Sequence, residues 1–240
     1  MLIKTQAIVL SVLKYSDHDA IIKTYTRDAG FVTFFVKSLL KNTRKNLKKS
    51  LFQPNSILNI VATHRANKQM EYIREVTNAY HYKDLYNNFD KLNQSTFIRE
   101  ILLNTLQNEN QPDNELYDFV RQSFIYLDQQ PMNPDFHIRF ILKLTKFLGF
   151  MPDLQSKGDY FDLSEGIFTS DFINLTYFFD KKQTDLFKKF LGMIFASENS
   201  IKLSNFERQG VLRLILKYYQ FHLENFKEPK SLQILNDLYE

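Results

Sequence analysis

Apolar and polar residues alternate with period two through the first 80 positions, in runs short enough for strands and separated by polar turns. Ala7-Ile8-Val9-Leu10-Ser11-Val12-Leu13 is the first run, Ala20 to Thr26 the second and Phe31 to Val36 the third. Ile57 to Ala62 and Met70 to Val76 supply a fourth and a fifth. Arg27-Asp28-Ala29-Gly30 predicts a tight hairpin with Gly30 in the left-handed region, which a residue lacking Cβ enters without steric cost. Five short strands, with one long polar connection after the third, suit a small barrel of the OB type; an SH3-like barrel fits the same pattern.

After about residue 80 the period changes to 3.6. Phe97, Ile98, Ile101, Leu102 and Thr105 form one helical stripe, and Leu116, Phe119, Val120, Phe124 and Leu127 another. A third helix is expected from Pro134, with Asn133 as cap, Asp135 at the positive end of the dipole, and Gly149 then Pro152 as stop signals. Phe161-Asp162-Leu163-Ser164-Glu165-Gly166-Ile167-Phe168 reads as a strand–turn–strand ribbon. Further helices are expected near 171–180, 183–196, 204–226 and 230–239, with Leu212, Ile215, Leu216 and Tyr219 on the buried face of the longest. The fold expected is therefore α+β: a five-stranded OB-fold barrel in residues 1–80, then an all-helical domain in 81–240 with a small β-ribbon insertion at about 153–169.

Composition agrees with two ordinary globular domains. At 240 residues, 44% hydrophobic and 24% charged, the chain can bury a core and is neither disordered nor repetitive. It has 6 Gly, 6 Pro and no Cys, so disulfides, thiolate metal sites and cysteine nucleophiles are excluded. The opening Met1-Leu2-Ile3-Lys4-Thr5-Gln6 lacks the pattern of a secretory signal, and no apolar run reaches membrane-spanning length. A cytoplasmic protein with no membrane partner is expected.

The net charge of +4 is unevenly placed. Residues 1–80 hold 13 Lys/Arg against 5 Asp/Glu, a balance of +8, whereas residues 81–240 hold 18 against 22, a balance of −4. Lys37, Lys41, Arg44, Lys45, Lys48 and Lys49 fall within thirteen positions with no acid between them. A solvated, self-repelling loop is one reading of such a run. Arg65, Lys68 and Arg74 add cations to the same small domain, which favours a surface that tracks phosphates. Phe31, Phe34, Phe35 and Phe52 flank the run; most must be core, and one or two exposed rings would complete a platform for unpaired bases.

Catalysis has no comparable support. Neither G-x-x-x-x-G-K-[ST] nor G-x-G-x-x-G occurs, nor does a G-x-S-x-G elbow or an H-E-x-x-H pair, so no cofactor is expected. Ser16-Asp17-His18-Asp19 is the one compact acid–imidazole cluster, and it reads as a polar turn more readily than as a metal site. Two other functional classes remain at this point: a helical adaptor whose basic barrel binds an acidic protein, and a metal-dependent nuclease using Asp17 and Asp19.

Three groups of residues carry a resemblance. Ala7-Ile8-Val9-Leu10, Tyr15-Ser16-Asp17-His18-Asp19-Ala20-Ile21, Tyr25-Thr26-Arg27-Asp28-Ala29-Gly30, Val36-Lys37 and Leu51-Phe52-Gln53-Pro54 occur in that order at the start. Arg139 to Pro152 forms a helix ending in Leu148-Gly149-Phe150-Met151-Pro152, and Leu216 to His222 with Lys230 to Leu235 forms the tail. Together these resemble the RecO family of recombination mediators over nearly the whole chain.

The resemblance implies a DNA repair mediator that is not an enzyme. It would bind single- and double-stranded DNA, anneal complementary strands and help load recombinase onto strands coated by the single-stranded DNA-binding protein SSB. Implied partners are RecR, the SSB C-terminal tail and, indirectly, RecA, at a nucleoid-associated location. The phosphate contacts would come from Lys37, Lys41, Arg44, Lys45, Lys48, Lys49, Arg65, Lys68 and Arg74. Arg139, Phe140 and Lys143 would hold the SSB tail, whose acidic residues and terminal hydrophobic residue need a cation beside an apolar pocket. Two departures from the family stand out. Many members carry four zinc-binding Cys after the Leu-Gly-x-x-Pro motif where Asp153 to Asp171 holds none, and the usual Lys-Gly-Ala-Arg is Lys37-Ser38-Leu39-Leu40-Lys41.

Overall fold

The alternating runs form β1 (Leu2–Lys14), β2 (Ala20–Thr26), β3 (Gly30–Val36), β4 (Ile57–Thr63) and β5 (Glu71–Asn78). A four-residue helix, α1 (Lys48–Leu51), lies in the connection between β3 and β4. The computed structural model describes residues 2–40, 48–63, 70–107, 111–173, 176–195 and 203–237. The strands close into a barrel in the order β1-β2-β3-β5-β4, with β4 antiparallel to β1 and β3 parallel to β5. This is the OB order, which decides between the two barrel types that strand periodicity leaves open.

Alternation places Ala7, Val9, Ala20, Ile22, Val32, Phe34, Leu58, Ile60 and Ala62 inside the barrel. In β1, Val9 faces Thr24 while Ser11 faces Lys23, so Leu10 is an extra residue and the inward positions shift to Val12. The β2–β3 hairpin has Gly30 at φ +63, as the Arg27-Asp28-Ala29-Gly30 sequence requires. Thr26 Oγ1 donates to the Gly30 carbonyl at 2.9 Å and fixes that turn from inside.

The chain forms two compact units, Met1–Met132 and Asn133–Glu240. The first therefore includes α2 (Phe89–Leu106) and α3 (Asn114–Gln129), capped by the side chains of Asn88 and Asp113. Arg99 of α2 donates to the Leu10 carbonyl of β1 at 2.9 Å. The segment entering α2 is held by charge: the Asp128 carboxylate accepts the backbone N–H groups of Lys83, Asp84 and Leu85 and the Tyr80 hydroxyl. The buried Lys91 ammonium sits beside it, 2.8 Å from Asp84 Oδ2, and donates to the carbonyls of Asp128 and Gln130.

The second unit comprises α4 (Phe136–Phe147), β6 (Tyr160–Asp162), β7 (Ile167–Thr169), β8 (Phe178–Phe179), α5 (Lys181–Phe195), α6 (Asn205–His222) and α7 (Leu232–Asp237). The α4 helix starts later than the cap signals suggest. Asn133 turns its side chain onto the Asp135 N–H at 2.9 Å, and this local turn competes with capping, so the first helical residue is Phe136. Gly149 ends it at φ +84. The ribbon forms as β6 and β7, but the helix expected near 171–180 does not. Phe178 and Phe179 instead pair with Asp162 and Phe161 as a third strand, because both rings are drawn into a buried aromatic cluster.

Phe161 lies at the centre of that cluster, with Phe168, Phe179, Phe187 and Tyr218 at centroid distances of 5.1–5.4 Å. This interior occupies the region, Asp153 to Asp171, for which the resemblance noted above would imply a zinc site. With no Cys in the chain, and no group of three or more His, Cys, Asp or Glu arranged for a metal among the described residues, zinc does not fit here.

Candidate nucleic-acid interface

The barrel interior is apolar, so the outward residues of β1, β2, β3 and β5 decide what the domain can touch. Register places Leu13, Ile21, Phe35 and Tyr72 side by side across these four strands. The next rung on the same face brings Ser11, Lys23 and Thr33 together. Lys37 is exposed just past the end of β3, and Lys14 just before the β1–β2 turn. In β5, Ile73 pairs with Ala62 while Glu75 pairs with Val61, which leaves Arg74 as the extra residue of a bulge, exposed to solvent beside the exposed Glu75.

The expected rings sort sharply. Phe31, Phe34 and Phe52 are buried, whereas Phe35 is half-exposed. Its neighbours are two residues that sequence reasoning missed, Tyr15 at 5.5 Å and Tyr72 at 5.9 Å between ring centroids, both in edge-to-face geometry. Tyr15 is 60% exposed and Tyr72 55%. Lys23 was also missed. Its outward direction follows from alternation within β2, but its proximity to Phe35 follows only from strand pairing.

The Ser16–Asp19 cluster is a turn. Lys14 pairs with Asp17 at 3.1 Å, Ser16 donates its hydroxyl to Asp19 at 2.9 Å, and the other Asp19 oxygen accepts the Ser38 N–H at 2.8 Å. These bonds, that from Ser38 foremost, hold the Asp19 carboxyl below the usual carboxylate range. The His18 carbonyl accepts the Leu40 N–H, so the β1–β2 turn anchors the first residues of the basic connection. Asp17 and Asp19 serve separate partners and do not converge.

Of the expected phosphate contacts, Lys37, Lys49 and Arg74 are exposed, and Lys48 lies in the backbone of α1. Lys41, Arg44, Lys45, Arg65 and Lys68 lie outside the described residues, as does the Lys48 side chain. On α4, Arg139 is half-buried and Lys143 exposed, one turn apart on one face. The Nε of Arg139 is shielded from solvent and meets no acceptor among the described residues. Phe140 corrects the sequence expectation: it is 2% exposed and faces inward with Leu144, because this helix uses its apolar stripe to build the core of its own unit. It cannot line an open pocket.

Comparison with known proteins covers both units. The family model described as "Recombination protein O N terminal" matches residues 1–82, and "Recombination protein O C terminal" matches residues 87–233. The chain is 38% identical to the DNA repair protein RecO of Christiangramia forsetii, 32% to that of Flavobacterium psychrophilum and 34% to that of Flavobacterium johnsoniae. Each alignment covers 100% of both chains.

Proposed function

The chain belongs to the RecO family, and from that membership and the cationic outer face of its barrel we propose that it is a DNA repair mediator that binds single- and double-stranded DNA and anneals complementary strands. The observation that carries this reading is the balance of +8 in residues 1–80, with Lys37, Lys49 and Arg74 exposed to solvent. Cations held on one surface neutralise the phosphates of two strands together and lower the repulsion that opposes pairing. No covalent chemistry is required. Residues 1–80 carry the DNA, and residues 81–240 carry protein partners: RecR, and the acidic tail of SSB held by Arg139 and Lys143. RecA loading follows indirectly, on cytoplasmic, nucleoid-associated DNA.

The test is a salt titration of DNA binding by the parent and by the triple variant Lys45→Glu, Lys48→Glu, Lys49→Glu. The variant binds all sequences more weakly, and its slope against salt on single strands falls by about 0.7 for each phosphate that is no longer neutralised. A triple variant that binds and anneals as the parent does removes the basic connection from the site. A parent that binds no DNA at low salt but does bind acidic proteins overturns the reading as a whole.

A further inference from the structure

The cations explain attraction to any nucleic acid, yet the rings beside them have no role in that attraction. The barrel is otherwise economical with its aromatics: Tyr25, Phe31, Phe34 and Phe52 are each buried. Tyr15 and Tyr72 are the exceptions, and both turn toward the half-exposed Phe35. The three rings come from a turn and from two strands whose parallel pairing is limited to Phe34 with Glu71 and Phe35 with Tyr72. An edge-to-face arrangement occupies one face of a ring at most, so aromatic surface remains open to solvent at both tyrosines.

We propose that Tyr15, Phe35 and Tyr72 form a base-stacking platform by which the barrel distinguishes unpaired DNA from duplex. The proposal rests on the DNA-binding reading above and specifies which form of DNA this face selects. Charge identifies the occupant. Lys14 precedes Tyr15, Lys37 lies two residues beyond Phe35, Lys23 is on the neighbouring rung of β2, and Arg74 lies two residues beyond Tyr72. A single strand offers open base faces and a phosphate at every residue, which matches rings interleaved with cations. In a duplex the base faces are already stacked on one another, and only the phosphates remain to be bound. A partner protein would use the rings as an apolar patch and would show no dependence on bases.

The experiment compares three probes by fluorescence anisotropy at one moderate salt concentration: oligothymidylate, an abasic strand of the same length and charge, and a duplex. The parent binds oligothymidylate at least about fivefold more tightly than the abasic strand, the low end of base–aromatic stacking. The double variant Tyr15→Leu, Tyr72→Leu keeps apolar bulk at two exposed positions, loses that preference, and binds the abasic strand and the duplex as the parent does. In a strand carrying 2-aminopurine, the parent quenches the base and the double variant does not.

A parent indifferent to the presence of bases, or a double variant that retains the preference, overturns the platform. In either case the Lys45, Lys48, Lys49 variant still reports on phosphate binding and leaves the broader reading standing. A parent that binds none of the three probes overturns both.

Discussion

The Asp19 carboxylate accepts the backbone N–H of Ser38 at 2.8 Å, and so ties the turn after β1 to the first residues of the basic connection, nineteen positions further along the chain. Ser38 stands at φ +58, a conformation in which a side chain meets steric resistance. The bond therefore holds a strained residue in place. Asp19→Ala should speed hydrogen exchange at the Ser38 and Leu40 amides while leaving the amides of Ile22 and Phe34 protected. Ser38→Gly, which removes the steric resistance, should partly restore order in the Asp19→Ala background. Unchanged exchange at Ser38 and Leu40 would mean that the connection starts from some other anchor.

His137 is fully enclosed in α4, and burial, followed by the charge of Arg208, pushes its imidazole down to about 3 from an ordinary value of 6.5. The folded state holds this ring neutral where the unfolded state would protonate it. Its contribution to stability is therefore complete above about 6.5 and is lost as pH falls from there toward 3. The loss approaches ~1.4 kcal/mol per pH unit, the free energy of one proton bound differentially. Chemical denaturation from pH 7 to pH 4 should show this decline, and His137→Gln should flatten it. A parent with constant stability between pH 6.5 and 5 would contradict the assignment.

The aromatic packing beneath β6, β7 and β8 makes opposite claims about metal and about ring loss. Chelators should leave the melting temperature unchanged, since no thiolate site exists whose occupancy could couple to folding. Phe161→Ala should lower stability by about 3–5 kcal/mol, the usual cost of emptying the space of a large buried ring. Stoichiometric zinc in the purified protein, lost together with structure on chelation, would reverse the first expectation, and a Phe161→Ala protein as stable as the parent would reverse the second.

Arg139 presents a guanidinium that can grip a carboxylate through two parallel hydrogen bonds, which a lysine cannot reproduce. Arg139→Ala should weaken binding of a peptide ending in acidic residues and a C-terminal hydrophobic residue severalfold, with DNA affinity intact. Lys143→Ala should weaken it less. Equal peptide affinity in Arg139→Ala and the parent would move the tail site away from α4.

The barrel is readable in the sequence because each strand alternates against a single core, so Ala20, Ile22 and Phe34 announce their own direction. Helices α2, α3 and α6 are readable for the corresponding reason, with Phe97, Val120 and Ile215 recurring at helical spacing. What escapes depends on partners distant in the chain. Phe178 and Phe179 carry no period long enough to mark a strand and become one only against Phe161. Phe140 looks available because an apolar stripe does not say whether a core or a ligand will cover it. Tyr15, Lys23 and Tyr72 cannot be grouped with Phe35 until the pairing of β3 with β5 is known. The charge run is visible at once, since it needs no partner to be recognised.

That parallel pairing also bears on how the barrel folds. The antiparallel neighbours β1–β2 and β2–β3 join across short turns, whereas Phe34 and Phe35 reach Glu71 and Tyr72 only after the whole basic connection and β4 have been spanned. Closing so long a loop carries a large entropy cost, and the cations within it repel one another until counterions or a polyanion screen them. Closing the β3–β5 seam should consequently be part of the rate-limiting step, with substantial φ-values for substitutions at Tyr72 and folding that accelerates with ionic strength. A protein that completes its barrel faster when the surrounding solution shields positive charge would have a folding rate tuned by the kind of molecule its finished surface attracts.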